Sequence, residues 1–113
     1  MKIIIAGAGK VGSTVARILA GEGHDITVID RRPDIISNIS NNLDVICVQG
    51  SATSSDTLVE AGAKEADLVL AATKNDETNM VCGISARKLG TKHIIARIRD
   101  TAYMHETEFL RDA

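Results

Sequence analysis

The sequence predicts an α/β fold, a Rossmann-like doubly wound parallel sheet with strand order 3-2-1-4-5. Three observations carry this. Short β-branched runs alternate with helical periodicity five times along the 113 residues. The strand runs are continuously apolar, as parallel strands covered on both faces require. The first strand also leads directly into Gly7-Ala8-Gly9-Lys10-Val11-Gly12, a G-x-G-x-x-G pattern at the mouth of a helix.

Each element follows from local chemistry. Ile3 to Ala6 reads as the first strand. From Gly12 to Gly21, Val15, Ile18 and Leu19 fall at helical spacing, and the Gly21/Gly23 pair stops that helix. Ile26 to Ile29 is the second strand. Pro33, the single proline, sits at a first-turn position where its missing N–H has no helical partner. It opens a short helix lined by Ile35, Ile36 and Ile39. Val45 to Val48 is the third strand, and Thr57 to Ala61 a short helix stopped by Gly62. Leu68 to Ala72 is the fourth strand. Asp76 to Leu89 is the fourth helix, ended by Gly90, and His93 to Ile98 the fifth strand. A last helix is expected over Ala102 to Arg111. Crossovers between parallel strands are right-handed, so a doubly wound sheet is the economical arrangement. A complete dinucleotide fold usually adds a sixth strand. The chain is therefore expected to be one domain over residues 1–113, a minimal or trimmed version belonging to a longer protein.

Composition narrows the functional classes. The length suits one domain with a modest core. Aromatics make up only 2%, with no Trp, one Tyr and one Phe, so no platform for stacking single-stranded nucleic acid exists. A net charge of −2 gives no general attraction to DNA or anionic lipid. No nucleic acid partner is expected. Cys47 and Cys82 are isolated from one another in sequence and read as core thiols in a reducing cytosol. The histidines at 24, 93 and 105 lack metal spacing, so no metal site is expected. No apolar run spans a bilayer, and Gly7, Gly9 and Lys10 break the first run too early for a signal peptide.

The glycine pattern carries the chemistry. Gly7 permits the tight turn, Gly9 has no Cβ to block a diphosphate, and Gly12 lets the helix pack close to the strand. The helix N-terminus offers N–H groups and partial positive charge to phosphates. Asp30 ends the second strand, 18 residues past Gly12. There a carboxylate accepts hydrogen bonds from both ribose hydroxyls and repels a 2′-phosphate, which favours NAD over NADP. Arg31 and Arg32 complicate that choice, since an arginine there can hold a 2′-phosphate. Catalytic machinery is not apparent. His24 and His93 fall at the end of the sheet opposite the cradle, His105 lies in the tail, and Tyr103 pairs with no suitable lysine. The expectation is a binding site without catalytic residues.

Four stretches together resemble the N-terminal nucleotide-binding domain of Trk and Ktr potassium-uptake regulators, also called KTN or RCK domains. They are "MKIIIAGAGKVGSTVARILAGEGHDITVID", "VQGSATSSDTLVEAGAKEADLVLAAT", "TKNDETNMVCGISARKLG" with its Asp-Glu-Thr-Asn helix start, and "IIARIRDTAY" with Ala96-Arg97. The resemblance covers essentially the whole chain. It implies a cytoplasmic regulatory subunit, peripheral on the inner face of the membrane. Its partner would be a membrane-embedded potassium translocating subunit. Such domains form homo-oligomers, as dimers, tetramers or octameric rings, and bound NAD or NADH, or ATP or ADP, biases the gate.

The resemblance further implies residue roles. Gly7, Ala8, Gly9, Lys10 and Val11 would wrap the phosphates. Asp30 would hold the ribose with Arg31 near the adenine, and Gly50, Ser51 and Ala52 would border the adenine. Thr73 and Lys74 would face the second half of the ligand. Arg97 would reach the phosphates or a neighbouring subunit. Many family members have Asp where this chain has Ser51, so a hydrogen bond there is expected to be weaker or rearranged. Thr73, Asn75 and Asp76 equally suit capping of the fourth helix. Arg97 equally suits a structural salt bridge, and Arg87 and Lys88 complement the helix dipole. Two other readings stay open. One is the cofactor domain of an NAD-dependent oxidoreductase. The other is a solitary nucleotide-binding module for some other partner.

Overall fold

The computed structural model describes residues 1–102. It contains β1 (Lys2–Ala6), α1 (Lys10–Gly21), β2 (Asp25–Asp30), α2 (Pro33–Asn42), β3 (Ile46–Gln49), α3 (Ser55–Glu60), β4 (Leu68–Ala71), α4 (Asp76–Leu89) and β5 (His93–Ala96). The five strands form one sheet in the order β3-β2-β1-β4-β5, and every pairing is parallel. The expected architecture and strand order are therefore present. The helix expected over Ala102 to Arg111 lies, beyond its first residue, outside the described residues.

Side-chain alternation divides the core into two layers. Ile3 and Ile5 of β1 pack with Ile26 and Val28 of β2, beneath Ala16 of α1 and Ile39 of α2. Ile4 and Ala6 point the other way, to a layer with Ile29, Val69 and Ala71, covered by Leu58 of α3 and by Cys82 and Ala86 of α4. Each fully buried Ile of β1 stabilises the fold by roughly 1.5–3 kcal/mol. Gly83 brings α4 close to β5, since a Cβ there would stand 3.0 Å from Ile94.

The helix stops follow the glycines. Gly23, Gly62 and Gly90 have φ of +85°, +93° and +124°, a region other residues adopt only with strain. Strand ends shift by one or two residues, β5 stopping at Ala96 rather than Ile98, and two helix starts differ from expectation. Helix α1 begins at Lys10, because its first turn forms directly off the Gly9 N-cap. Helix α3 begins at Ser55, because the Ser54 hydroxyl accepts a hydrogen bond from Thr57 N–H and caps it. One core assignment also differs. Cys82 is fully buried, but Cys47 is only half-buried, because β3 is an edge strand.

Candidate functional site

The carboxyl ends of the strands meet a crevice of about 700 Å³. That volume suits a cofactor-sized molecule. Its position, outside the carboxyl edge where the chain winds in opposite directions from β1, is the switch point of this fold.

The glycine loop forms one wall. Gly7 turns with φ +100°, and a Cβ there would meet Thr73 at 2.9 Å. A Cβ on Gly12 would lie 1.8 Å from the Gly7 carbonyl oxygen, so Gly12 serves packing and does not line the crevice. Gly9 behaves differently. It lines the crevice, and a Cβ on it would meet no protein atom within 4 Å. Gly9 is also the N-cap of α1 and offers no side chain to its first-turn N–H groups. That open space and those donors fit a diphosphate. Lys10 and Val11 border the same space, whereas Ala8 is buried behind it.

Ala8 instead acts on Asp30. Its N–H donates to Asp30 Oδ2 at 2.9 Å. The rest of the Asp30 carboxylate is held by Arg32. Oδ1 accepts from the Arg32 N–H at 2.9 Å and from Nε at 3.0 Å, and Oδ2 accepts from Nη2 at 3.0 Å. Asp30 is only 7% exposed. Burial pushes its pKa up, but the Arg32 side chain and the Ala8 and Arg32 N–H groups more than offset this and hold it at about 2. The Arg32 guanidinium is correspondingly raised above its usual value, chiefly by its hydrogen bonds to Asp30. The carboxylate is therefore engaged by Arg32, a contact that the sequence did not specify. Arg31 lines the crevice but does not hold Asp30; its carbonyl accepts from Gln49 Nε2 at 3.4 Å. The physical reason is local geometry. Arg32 is the N-cap of α2, and with Pro33 at N1 its backbone is extended (φ −86°, ψ 116°), which sends its N–H and side chain back over Asp30.

The β3 side supplies Gly50, Ser51, Ala52 and Thr53. Gly50 N–H donates to the Asp30 carbonyl at 3.0 Å. A Cβ on Gly50 would stand 2.7 Å from Thr57 Oγ1, so its bareness also lets α3 close in. Ser51 Oγ lies 2.8 Å from Thr53 Oγ1 and accepts from Thr53 N–H, which turns this loop on itself.

The opposite wall comes from the ends of β4 and β5. Thr73, Lys74 and Arg97 line it, together with Asn75, Thr78 and Arg99, which the sequence reading did not assign to the crevice. The capping alternatives divide. Asn75 is the N-cap of α4 and accepts from Thr78 N–H at 2.8 Å. Asp76 does not cap; it accepts from the N–H groups of Arg99 and Asp100, and those bonds hold its pKa below the usual carboxylate value. The Thr73 hydroxyl lies 2.7 Å from Asn79 Oδ1, to which it donates.

Asn79 organises this wall without touching the crevice. It is fully buried. Its Oδ1 also accepts from Thr73 N–H at 2.9 Å, and its Nδ2 donates to the carbonyls of Thr73 at 3.0 Å and Arg97 at 2.8 Å. One side chain thereby ties the ends of β4 and β5 together. A sequence signal existed: Asn79 shares the helix stripe of Cys82, Gly83 and Ala86, where a polar residue must find partners inside.

Of the fourteen expected site residues, the crevice gathers all but Ala8 and Gly12, which support it from behind. Six cations line it, Lys10, Arg31, Arg32, Lys74, Arg97 and Arg99, against the single carboxylate of Asp30. The chain is net negative, yet this crevice is lined mainly by positive charge. The histidines that are described lie elsewhere. His24 Nδ1 is 3.3 Å from the amino terminus, and His93 pairs in register with Leu68 at the opposite end of the sheet.

Known proteins resemble this chain in sequence and fold. The family model described as the TrkA-N domain matches residues 3–111. The chain is 44% identical over 111 residues to the Trk system potassium uptake protein TrkA of Vibrio alginolyticus, covering 97% of this chain and 24% of that protein. It thus spans about a quarter of the length of such curated relatives. Among solved structures, the Shewanella denitrificans Kef CTD in its AMP-bound form superimposes with a TM-score of 0.84 at 28% identity, over 98% of this chain and 67% of that one. The GsuK channel bound to NAD shares the fold, with a TM-score of 0.81 at 24% identity over 97% of this chain and 19% of that one. With the glycine turn, the strand-tip carboxylate and the match over nearly its whole length in place, the chain belongs to the TrkA-N domain family.

Proposed function

We propose that this chain is the nucleotide-sensing domain of a potassium-uptake regulator, one domain over residues 1–113 of a longer protein. It binds NAD or NADH, with ATP or ADP as the alternative, through the adenosine diphosphate these ligands share. The observation that carries this is the open space at Gly9 beside the uncapped start of α1, in a crevice lined by six cations. The AMP in the similar Kef domain supports an adenosine nucleotide. Gly7, Gly9, Lys10 and Val11 bind the phosphates, Asp30 the ribose, and Gly50, Ser51 and Ala52 border the adenine. Thr73, Lys74 and Arg97 address the distal part of the ligand. The nicotinamide, when NAD is bound, would supply redox capacity; this chain places no proton-transferring histidine among the residues of the crevice. On this reading the domain acts as a nucleotide sensor.

Ligand occupancy biases the shape of a homo-oligomer on the cytoplasmic face of a membrane-embedded potassium translocating subunit. A ligand moves such an equilibrium only by its difference in affinity for the two shapes. No helix among the described residues is long and apolar enough to cross a membrane. Titration calorimetry with NAD, NADH, ADP and ATP tests binding, and a panel of small alcohols and hydroxy acids tests turnover. Saturable binding without hydride transfer is expected. Clear turnover would overturn the sensor reading.

A further inference from the structure

The Asp30 carboxylate has about four acceptor positions, two on each oxygen, and all are filled. Backbone N–H groups hold one on each oxygen, from Ala8 and Arg32. The Arg32 fork holds the other two, Nε on Oδ1 and Nη2 on Oδ2, both at 3.0 Å. A vicinal ribose diol makes the same demand on a carboxylate, one donated hydrogen bond to each oxygen. The backbone donors are part of the fold and stay. The Arg32 side chain is half-exposed, at 51%, and leads straight out to solvent.

We infer that Arg32 is an intramolecular competitor of the ligand's ribose, a latch that the nucleotide must open to reach Asp30. The inference rests on the nucleotide reading of the crevice and adds to it what sets affinity at the ribose end. Pro33 at N1 of α2 keeps the backbone of Arg32 beside Asp30, so the guanidinium returns as soon as the ribose departs. The closed latch lowers apparent affinity by the fraction of molecules in which it is open. With its arginine half-exposed, this bidentate pair is weak enough to be displaced, yet strong enough to weaken binding measurably.

The test measures ADP and 2′,3′-dideoxy-ADP affinity by calorimetry for wild type, Arg32→Ala and Arg32→Lys, after thermal melting confirms that each is folded. Arg32→Ala should tighten ADP by roughly three- to tenfold, the gain from opening a latch closed in most molecules. Arg32→Lys keeps the charge but cannot bridge both oxygens, and should show part of that gain. Neither variant should tighten the dideoxy ligand, which has no diol to compete. ADP affinity that is unchanged or weakened in both variants relative to wild type overturns the latch alone. No binding of ADP to any of the three proteins overturns both the latch and the nucleotide reading. A gain for the dideoxy ligand equal to that for ADP also removes the latch, since the effect would then be general charge and not diol competition.

Discussion

Gly12 lies with its Cα against the carbonyl oxygen of Gly7, so closely that a Cβ at position 12 would stand 1.8 Å from that oxygen. Gly9 and Gly12, three residues apart, thus do different work. Gly12 lets the helix pack against the Gly7 turn, while Gly9 keeps the crevice clear.

This difference separates stability from binding. Gly12→Ala forces backbone apart and is expected to destabilise by about 3 kcal/mol or more, the upper range of overpacking. Gly9→Ala meets no protein atom, so its stability change should stay under about 1 kcal/mol, the scale of an N-cap change. Its nucleotide affinity should nevertheless fall at least tenfold, about 1.4 kcal/mol, because the new methyl enters the diphosphate space. Chemical denaturation and calorimetry on both variants check the pair. Equal stability losses would reject the division of labour.

Asn79→Ala should be among the most damaging polar substitutions. It leaves the Thr73 N–H and the Thr73 and Arg97 carbonyls without their partner. Unsatisfied buried groups cost about 1–3 kcal/mol each before relaxation, so a net loss of about 2–4 kcal/mol is expected. Hydrogen exchange should show faster exchange at Thr73 and Arg97. A melting temperature equal to wild type would show that the strand ends do not depend on this amide.

Asp30 predicts the acid limb of stability. Its pKa is lowered in the fold, from 3.8 to about 2. A lowered carboxylate contributes stability that is full above about pH 4 and is lost as pH falls toward 2. The shift corresponds to about 2 kcal/mol. Wild type should therefore lose about that much more than Asp30→Asn between these pH values, measured by urea denaturation. Parallel pH curves for the two proteins would contradict the assignment.

At neutral pH, Asp30→Ala should weaken binding of NAD or ADP by about 1–3 kcal/mol, the range for hydrogen bonds to a charged group. The opposite sign is expected for Arg32→Ala. Competition titrations of the two variants against one fluorescent nucleotide check both signs at once. Unchanged affinity in Asp30→Ala would remove the ribose role.

Much of this protein was legible in the chain because it depends on short-range chemistry. Continuous β-branched runs, helical spacing and glycines with forced positive φ specify strands, helices and stops locally. The right-handed crossover then leaves few ways to order five parallel strands. The glycine pattern, Asp30 and the residues after each strand were found because every strand in such a sheet delivers its carboxyl end to the same edge. What the sequence could not decide was which partner each polar group takes. Whether Arg31 or Arg32 reaches Asp30 depends on the extended turn before Pro33, a few tens of degrees of backbone rotation that no residue count encodes. That Asn79 joins β4 to β5, and that Asp76 holds the Arg99 and Asp100 N–H groups, depends on contacts 18 to 24 residues apart in the chain. Local propensity sets the elements; only their packing brings a donor within 3 Å of an acceptor, and hydrogen bonds are decided at that distance.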